Sequence, residues 1–378
     1  MRYVVVNGIL RCNQKKKEYA SVAGIRKRIF MQTIIADMTN QTDEKEMERA
    51  GKILQEGGLV AFPTETVYGL GANALDEQAA FRIYAAKGRP SDNPLIVHIA
   101  RIEDLYKIVQ SVPEEAVKLA EKFWPGPLTM IFQKKEIVPY GTTGGLETVA
   151  VRMPNHPVAL KMIEAGGGYI AAPSANTSGR PSPTTAQHVA DDMSGKIDMI
   201  LDGGSVGIGV ESTIVDLSCG VPTILRPGYI NKAMLEEVIG HVEVDPTLLS
   251  ADCRQRPKAP GMRYKHYAPK ADMVIVEGDE DKVITYINER ICEELKKGNC
   301  PGVIASDETR HRYCGGTVKS MGSRKDELSI SRHLYAVLRE FDEQQVSCIF
   351  SEAFETPNLG QAIMNRMVKA AGHQIIRV

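Results

Sequence analysis

Read from its residues, this chain is an α/β protein with a twisted mixed sheet in a first, larger domain and a smaller parallel sheet in a second. Three observations carry that reading. Between Met31 and residue 230, short apolar runs closed by Gly or Pro alternate with segments of helical period. From Ala271 the alternation of strand and helix becomes regular, a pattern that yields parallel strands with helices on their faces. Between these regions, Arg254 to Pro269 is basic and rich in Pro and Tyr, the composition of a connector. The 378 residues therefore divide into a basic N-terminal extension (1–30), a first domain (31–230), a linker (231–270) and a second domain (271–378), in keeping with roughly 100 to 200 residues per domain.

The extension holds eight basic residues against Glu18 alone, a balance of +7, which leaves −8 for the rest of a chain whose net charge is −1. Its apolar run, Tyr3 to Leu10, is short and precedes most of the positive charge, the reverse of a secretory signal. Met31 thus reads as the natural start, and the extension as dispensable or as an arm that touches RNA.

Thr42 or Asp43 caps a helix running through Glu56, with Met47, Ala50, Ile53 and Leu54 on one face and Gly57 and Gly58 ending it. The run Leu59 to Phe62 is a strand that Pro63 ends, so Thr64, Glu65, Thr66 and Tyr68 fall on a loop. Gly69 and Gly71 follow, where backbone can come close to a ligand. Asp76 caps the next helix, whose apolar positions Ala79, Ala80, Ile83 and Tyr84 deliver Lys87 and Arg89 at its C-terminal end. Two cations there suit a polyphosphate, and they equally complement the negative end of the helix dipole.

Leu95 to Ile99 is a strand bearing His98, which also fits a buried core histidine. Residues 102–122 form two short helices that break near Pro113, and a rigid turn from Phe123 to Pro127 leads into the strand Leu128 to Phe132. Pro139 to Gly145 reads as a loop. In the strand Thr148 to Met153, Arg152 is flanked by apolar residues and so needs an anion, either a ligand carboxylate or a structural Asp or Glu. The strand Tyr169 to Pro173 runs into Ser174-Ala175-Asn176-Thr177-Ser178-Gly179, dense in hydroxyl and amide donors, and a loop at that place grasps ligands in α/β sheets. Thr184 or Thr185 caps a helix; the strand Met199 to Leu201, the Gly207/Gly209 pair, the run Glu211 to Asp216 and the strand Thr223 to Leu225 follow. Arg226, at the end of that last strand, is a further phosphate candidate. A helix from Asn231 to Ile239 comes next.

In the second domain the strands are Met273–Glu277, Gly302–Ala305, Val346–Phe350 and Gln374–Val378, and the helices Asp279–Lys297, Glu327–Phe341 and Gly360–Ala371. No catalytic set is visible there. Lys plus Arg is 46 against 47 for Asp plus Glu, so no overall basic field holds a nucleic-acid backbone, and a small-molecule substrate is favoured. Seven widely spaced cysteines with no Cys-x-x-Cys pair imply neither a disulfide framework nor a zinc site, and point to a reducing, cytoplasmic setting. Nothing approaches the roughly 20 apolar residues of a membrane span.

Three stretches, taken together, carry a resemblance. Pro63-Thr64-Glu65-Thr66-Val67-Tyr68-Gly69-Leu70, then Lys87 and Arg89 with Asn93-Pro94-Leu95-Ile96-Val97-His98, then Ser174 with Asn176, resemble the YrdC-like L-threonylcarbamoyladenylate synthases in their long two-domain form. The run Asn358 to Arg366 is similar to the C-terminal domain of that form. The resemblance implies a YrdC-like domain followed by a Rossmann-like one. It also implies a nucleotidyltransferase that joins L-threonine, bicarbonate or CO2, and ATP into threonylcarbamoyl-AMP and pyrophosphate, for t6A at position 37 of tRNAs reading codons that begin with adenine. By the same resemblance Thr66, His98, Arg152, Ala172 (through its backbone) and Ser212 hold threonine, Arg152 taking its carboxylate. Arg89, Asn93, Thr148, Ser174, Ser182, Arg226 and Tyr264 hold ATP, and Lys87, Arg89, Ser174 and Asn176 form a catalytic set facing the phosphates. Mg²⁺ would arrive on ATP, without a metal-ligand set of the chain's own. The product would pass to the tRNA threonylcarbamoyl-transfer machinery, with weak tRNA binding by the chain itself. Arg263, Tyr264, Lys265, His266 and Tyr267 would make the linker a lid over the nucleotide. Two other classes compete: a tRNA or double-stranded RNA binding module, which the overall charge opposes, and a carbamoyl-transferring maturation factor, which would carry further carbamoyl-phosphate and zinc-type motifs.

Overall fold

Apolar runs of a few residues become strands, and the segments with one apolar face become the helices that cover them. The structure, a computed structural model, describes residues 32–40, 43–218, 220–248, 259–260 and 266–378. The basic extension and its Met31 start, Thr42, Tyr264 and most of the expected lid lie outside the described residues.

The first domain runs β1 (Ile34–Asp37), α1 (Glu44–Gln55), β2 (Val60–Phe62), β3 (Gly69–Asn73), α2 (Glu77–Lys87), β4 (Ile96–His98), α3 (Ile102–Ile108), α4 (Glu114–Phe123), β5 (Leu128–Gln133), α5 (Tyr140–Thr143) and β6 (Thr148–Arg152). It continues α6 (Pro157–Ala165), β7 (Ile170–Ala172), α7 (Ala186–Met193), β8 (Met199–Asp202), β9 (Thr213–Asp216), β10 (Thr223–Arg226), α8 (Lys232–Ile239) and β11 (Glu243–Val244). Its strands form one mixed sheet in the order β1-β8-β2-β3-β7-β4-β6-β5-β9-β10-β11. The second domain runs β12 (Asp272–Glu277), α9 (Glu280–Lys296), β13 (Pro301–Ala305), β14 (Thr317–Ser320), α10 (Glu327–Glu343), β15 (Cys348–Glu352), α11 (Gly360–Ala370) and β16 (Ile375–Arg377). Its sheet, ordered β14-β13-β15-β12-β16, is parallel throughout. The two-domain α/β expectation holds.

Helix starts follow the capping residues. Asp43 accepts from the amides of Lys45 and Glu46, Asp76 from Gln78, Thr185 from His188 and Asn231 from Met234. Each thereby satisfies an amide the first turn leaves unpaired. Ala79, Ala80, Ile83 and Tyr84 are buried, as their spacing predicts.

Two glycines of β3 are required by packing, and in two places the structure departs from the sequence reading. Gly69 and Gly71 sit inside β3, where a Cβ on Gly69 would come within 2.9 Å of the Phe62 ring and one on Gly71 within 2.9 Å of Ile170. Their smallness lets apolar side chains cross the strand. Residues 140–143 form one helical turn rather than loop, closed by Gly144 at φ 60°. Helix α6 and strands β1, β11 and β14 went unread: α6 opens with Pro157 at its first position, where the missing N–H costs nothing, and the strands are short pieces at or next to sheet edges.

Candidate active site

A cavity between the first domain and the linker is lined by Thr64, Thr66, Val67, Gly69, Arg89, His98, Arg152, Ala172, Pro173, Ser174, Glu211 and Arg226 from the domain and by Pro260, His266 and Tyr267 from the linker. Sheet register assembles one side of it. His98 pairs with Arg152 across β4 and β6, and Arg152 with Thr129 across β6 and β5, so these three occupy one row. Thr129 Oγ1 lies 2.8 Å from Ser212 Oγ. On the adjoining loop, Thr66 Oγ1 lies 2.8 Å from Thr64 Oγ1.

His98 is buried, with Nδ1 3.1 Å from the Ile96 carbonyl, which can only accept, so Nδ1 carries the proton. Burial, with the Arg152 charge beside it, pushes its pKa down to about 3, and the ring is neutral at physiological pH. Arg152 has a resident anion: Nη2 is 2.8 Å from Glu65 Oε1, at ion-pair distance without hydrogen-bond geometry, while Nε donates to Gly126 O at 3.3 Å. The structural carboxylate foreseen for it therefore exists. The guanidinium still faces the cavity.

Two further arginines line the same cavity. Arg89 donates to the carbonyls of Asn93 and Pro94 at 3.3 and 3.1 Å. Arg226 donates to Ser212 O and Ser212 Oγ at 3.0 and 3.1 Å and to Pro260 O at 3.4 Å. Burial pulls its pKa down to about 10, which leaves it charged. Glu211 is the carboxylate among them. Burial alone would raise its pKa, but Arg366 and Arg226 outweigh that and hold it at about 2. Two buried guanidiniums against one carboxylate leave surplus positive charge, which suits a polyanion.

The remaining sequence candidates lie elsewhere. Lys87 is 2% exposed, and its ammonium donates to the carbonyls of Ser174 and Asn176, so it ties the Ser174–Asn176 loop from behind instead of facing the cavity. Burial, with Arg89 nearby, pushes its pKa well down. Asn176 is likewise internal: its Oδ1 accepts from Ser174 Oγ at 2.6 Å and its Nδ2 donates to Thr177 O and Arg180 O. Ser182 and Ser212 stand directly behind the wall, Ser182 bonded to Glu211 at 2.6 Å. Asn93 is buried beside Arg89 and does not line the cavity. Thr148 is at the opposite end of β6 from Arg152, about 13 Å along the strand by the usual rise. Sequence reasoning passed over Glu211 and Glu65 as site residues. The signal was an acid inside an otherwise apolar or small-residue run, Gly209-Val210-Glu211-Ser212-Thr213-Ile214-Val215. A second cleft, at the ends of β12 and β15 and lined by Glu277, Arg324 and Glu352, contains none of the candidates.

Comparison with known proteins bears on this geometry. A family model described as telomere recombination (Sua5, YciO and YrdC) matches residues 52–228, and one described as threonylcarbamoyl-AMP synthase, C-terminal domain, matches residues 230–372. A threonylcarbamoyl-AMP synthase of Pyrococcus abyssi is 50% identical over 349 residues, 92% of this chain and all of the relative. The chain belongs to the threonylcarbamoyl-AMP synthase family. A Bacillus subtilis member is 48% identical over 90% of this chain and 98% of its own length. The crystal structure of P. abyssi Sua5 complexed with L-threonine superposes with a TM-score of 0.87 at 49% identity, covering 92% of this chain and 100% of that one. Membership in this family makes the chain a transferase, and the two matched regions span every strand of both sheets except β1 and β16. Among the described residues no helix is long and apolar enough to cross a membrane, and no group of three or more His, Cys, Asp or Glu could hold a metal ion.

Proposed function

We propose that this cavity makes threonylcarbamoyl-AMP from L-threonine, CO2 or bicarbonate, and ATP. The observation that carries the reading is the lining of the cavity, which gathers a neutral His98, Arg152 and Thr66 with Arg89, Ser174 and Arg226. Threonine would lie against the first three, its carboxylate on Arg152 and its amine directed inward. The amine nitrogen bonds to the carbon of CO2 and gives up a proton, forming a carbamate. A carbamate oxygen then bonds to the α-phosphorus as the bond to the pyrophosphate oxygen breaks. Positioning and charge stabilisation suffice for such a transfer, with no covalent enzyme intermediate.

Mg²⁺ would come with ATP and neutralise phosphate charge. Both carboxylates at the cavity are committed to arginines, Glu65 to Arg152 and Glu211 to Arg366, so phosphate oxygens and water would supply most of the ion's ligands. The product is read as the donor for t6A modification of tRNA, in the cytoplasm, where exposed thiols such as Cys292, Cys300 and Cys314 stay reduced. The test is the full chain with ATP, bicarbonate and each amino acid in turn, following pyrophosphate and the mass of the adenylate. L-threonine alone is expected to release pyrophosphate and give the threonylcarbamoyl adduct. Release that is independent of the amino acid, or none with threonine, overturns the reading.

A further inference from the structure

The part of the cavity lined by Glu211 and Arg226 is not completed by its own domain. On α10, Ser331, Tyr335 and Arg339 are spaced four apart, hence on one face, and that face is buried, at 0%, 0% and 3% exposure. Ser331 Oγ donates to Ile208 O at 2.6 Å. Arg339 grips both oxygens of Asp192 at 3.2 and 3.0 Å and donates to Pro181 O at 2.6 Å, one residue before Ser182. The Tyr335 hydroxyl lies 3.0 and 2.9 Å from the two carboxylate oxygens of Glu211. From α11, Arg366, 0% exposed, donates through Nε to the Glu211 carboxylate at 3.1 Å, through Nη2 to the Glu211 carbonyl at 3.2 Å, and through Nη1 to Pro227 O. One guanidinium thus joins the residue before Ser212 to the residue after Arg226.

We propose that Arg366 and Tyr335 of the second domain are positioning residues for the nucleotide side of the cavity, acting through Glu211 on Ser182 and Arg226. The inference rests on the threonylcarbamoyl-AMP reading. Its physical content is charge placement. Glu211 has three partners besides the cavity: Ser182, Tyr335 and Arg366. Held by them, the carboxylate makes no hydrogen bond to Arg226 among the described residues, and the Arg226 N–H groups go to neutral oxygens of Ser212 and Pro260. Released from them, Glu211 would turn to the nearest guanidinium and neutralise the cation that a phosphate needs. On the threonine side the side chains find first-domain partners, Thr66 with Thr64, His98 with Ile96, and Arg152 with Glu65 and Gly126, and the link to α10 runs through backbone, the Ile208 and Gly209 amides donating to Glu65 O and Thr66 O. Tyr335 and Arg366 touch Glu211 and none of these groups, so their loss is expected to weaken ATP binding more than threonine binding.

The test is calorimetric titration of full-length wild type, Tyr335→Phe and Arg366→Lys with Mg²⁺-ATP and, separately, with L-threonine, alongside pyrophosphate release. Both substitutions should weaken ATP binding by at least about tenfold, the lower end of what one lost hydrogen bond to a charged group is worth, and leave threonine binding within about twofold. Tyr335→Phe keeps the ring stacked on Tyr267, 5.3 Å between centroids, and so carries the test if Arg366→Lys does not fold. Unchanged ATP affinity, or equal weakening of both ligands, overturns the inference while wild-type turnover leaves the functional reading intact. A wild type that neither binds ATP nor releases pyrophosphate overturns both.

Discussion

Arg152 and Lys87 are both buried cations, and their partners separate their roles. Arg152 keeps its planar fork at the cavity with one carboxylate already beside it. Arg152→Lys retains a charge for Glu65 but loses the paired geometry that a ligand carboxylate requires. We expect the threonine KM to rise by about tenfold or more, with the ATP KM within about twofold, in steady-state pyrophosphate release. Equal rises would assign Arg152 to structure. Lys87 is different because its ammonium bonds carbonyls of the Ser174–Asn176 loop. Lys87→Met is expected to lower turnover at least about tenfold and also the unfolding midpoint, since two buried carbonyls lose their donor. A raised ATP KM with an unchanged midpoint would instead return the lysine to the phosphates.

Among the elements, α10 does two jobs with two adjacent faces: Ile330, Leu334 and Phe341 close the core of the second domain, while Ser331 and Tyr335 bind the loop before β9. Gly209 marks where that contact is tightest. Its φ is +89°, and an added Cβ would lie 2.3 Å from Ser331 O and 2.5 Å from Arg332 Cα. Backbone on both sides leaves nothing to move aside. Gly240, which caps α8 at φ +77°, has nothing within 4 Å of such a Cβ. Gly240→Ala should cost about 1 kcal/mol from backbone strain, and Gly209→Ala roughly 3 kcal/mol or more because strain and overlap add. Urea unfolding midpoints of the two variants check this, and equal losses would mean the domains separate easily at α10.

For the whole molecule, buried titratable groups make acid the vulnerable direction. His98 has a folded pKa near 3 against 6.5 when free, so below pH 6.5 the unfolded chain takes a proton that the folded chain refuses. Stability is therefore present above pH 6.5 and lost as pH falls toward 3. Glu211, held at about 2 against 4.5, adds stability of order 3 kcal/mol above pH 4.5, lost as pH falls toward 2. Both act in one direction. Unfolding free energy measured from pH 7 to 4 should fall steadily, and His98→Gln should flatten the part between pH 6.5 and 5. A slope that the substitution leaves unchanged would mean that His98 is not the group titrating.

The sequence by itself determined the helices that have caps and a clear apolar face, the parallel alternation of the second domain, and the donor-rich strand ends, while Thr66, Arg89, His98, Arg152 and Ser174 were grouped into one site by the family resemblance. Those features are local: a capping Asp, a period of 3.6 or 2, a strand end followed by donors. Tertiary structure decided what each buried polar group touches. Lys87 was legible as a cation at a helix end, but its carbonyl partners are 87 and 89 residues away. Glu211 reads as one acid in an apolar run, yet it meets Ser182, Tyr335 and Arg366 across 29, 124 and 155 residues. The stretch Asn358 to Arg366 carried a family pattern with no visible chemistry, because the chemistry belongs to the other domain. Desolvation forces a buried charge to find a partner, and no local pattern says which residue that will be.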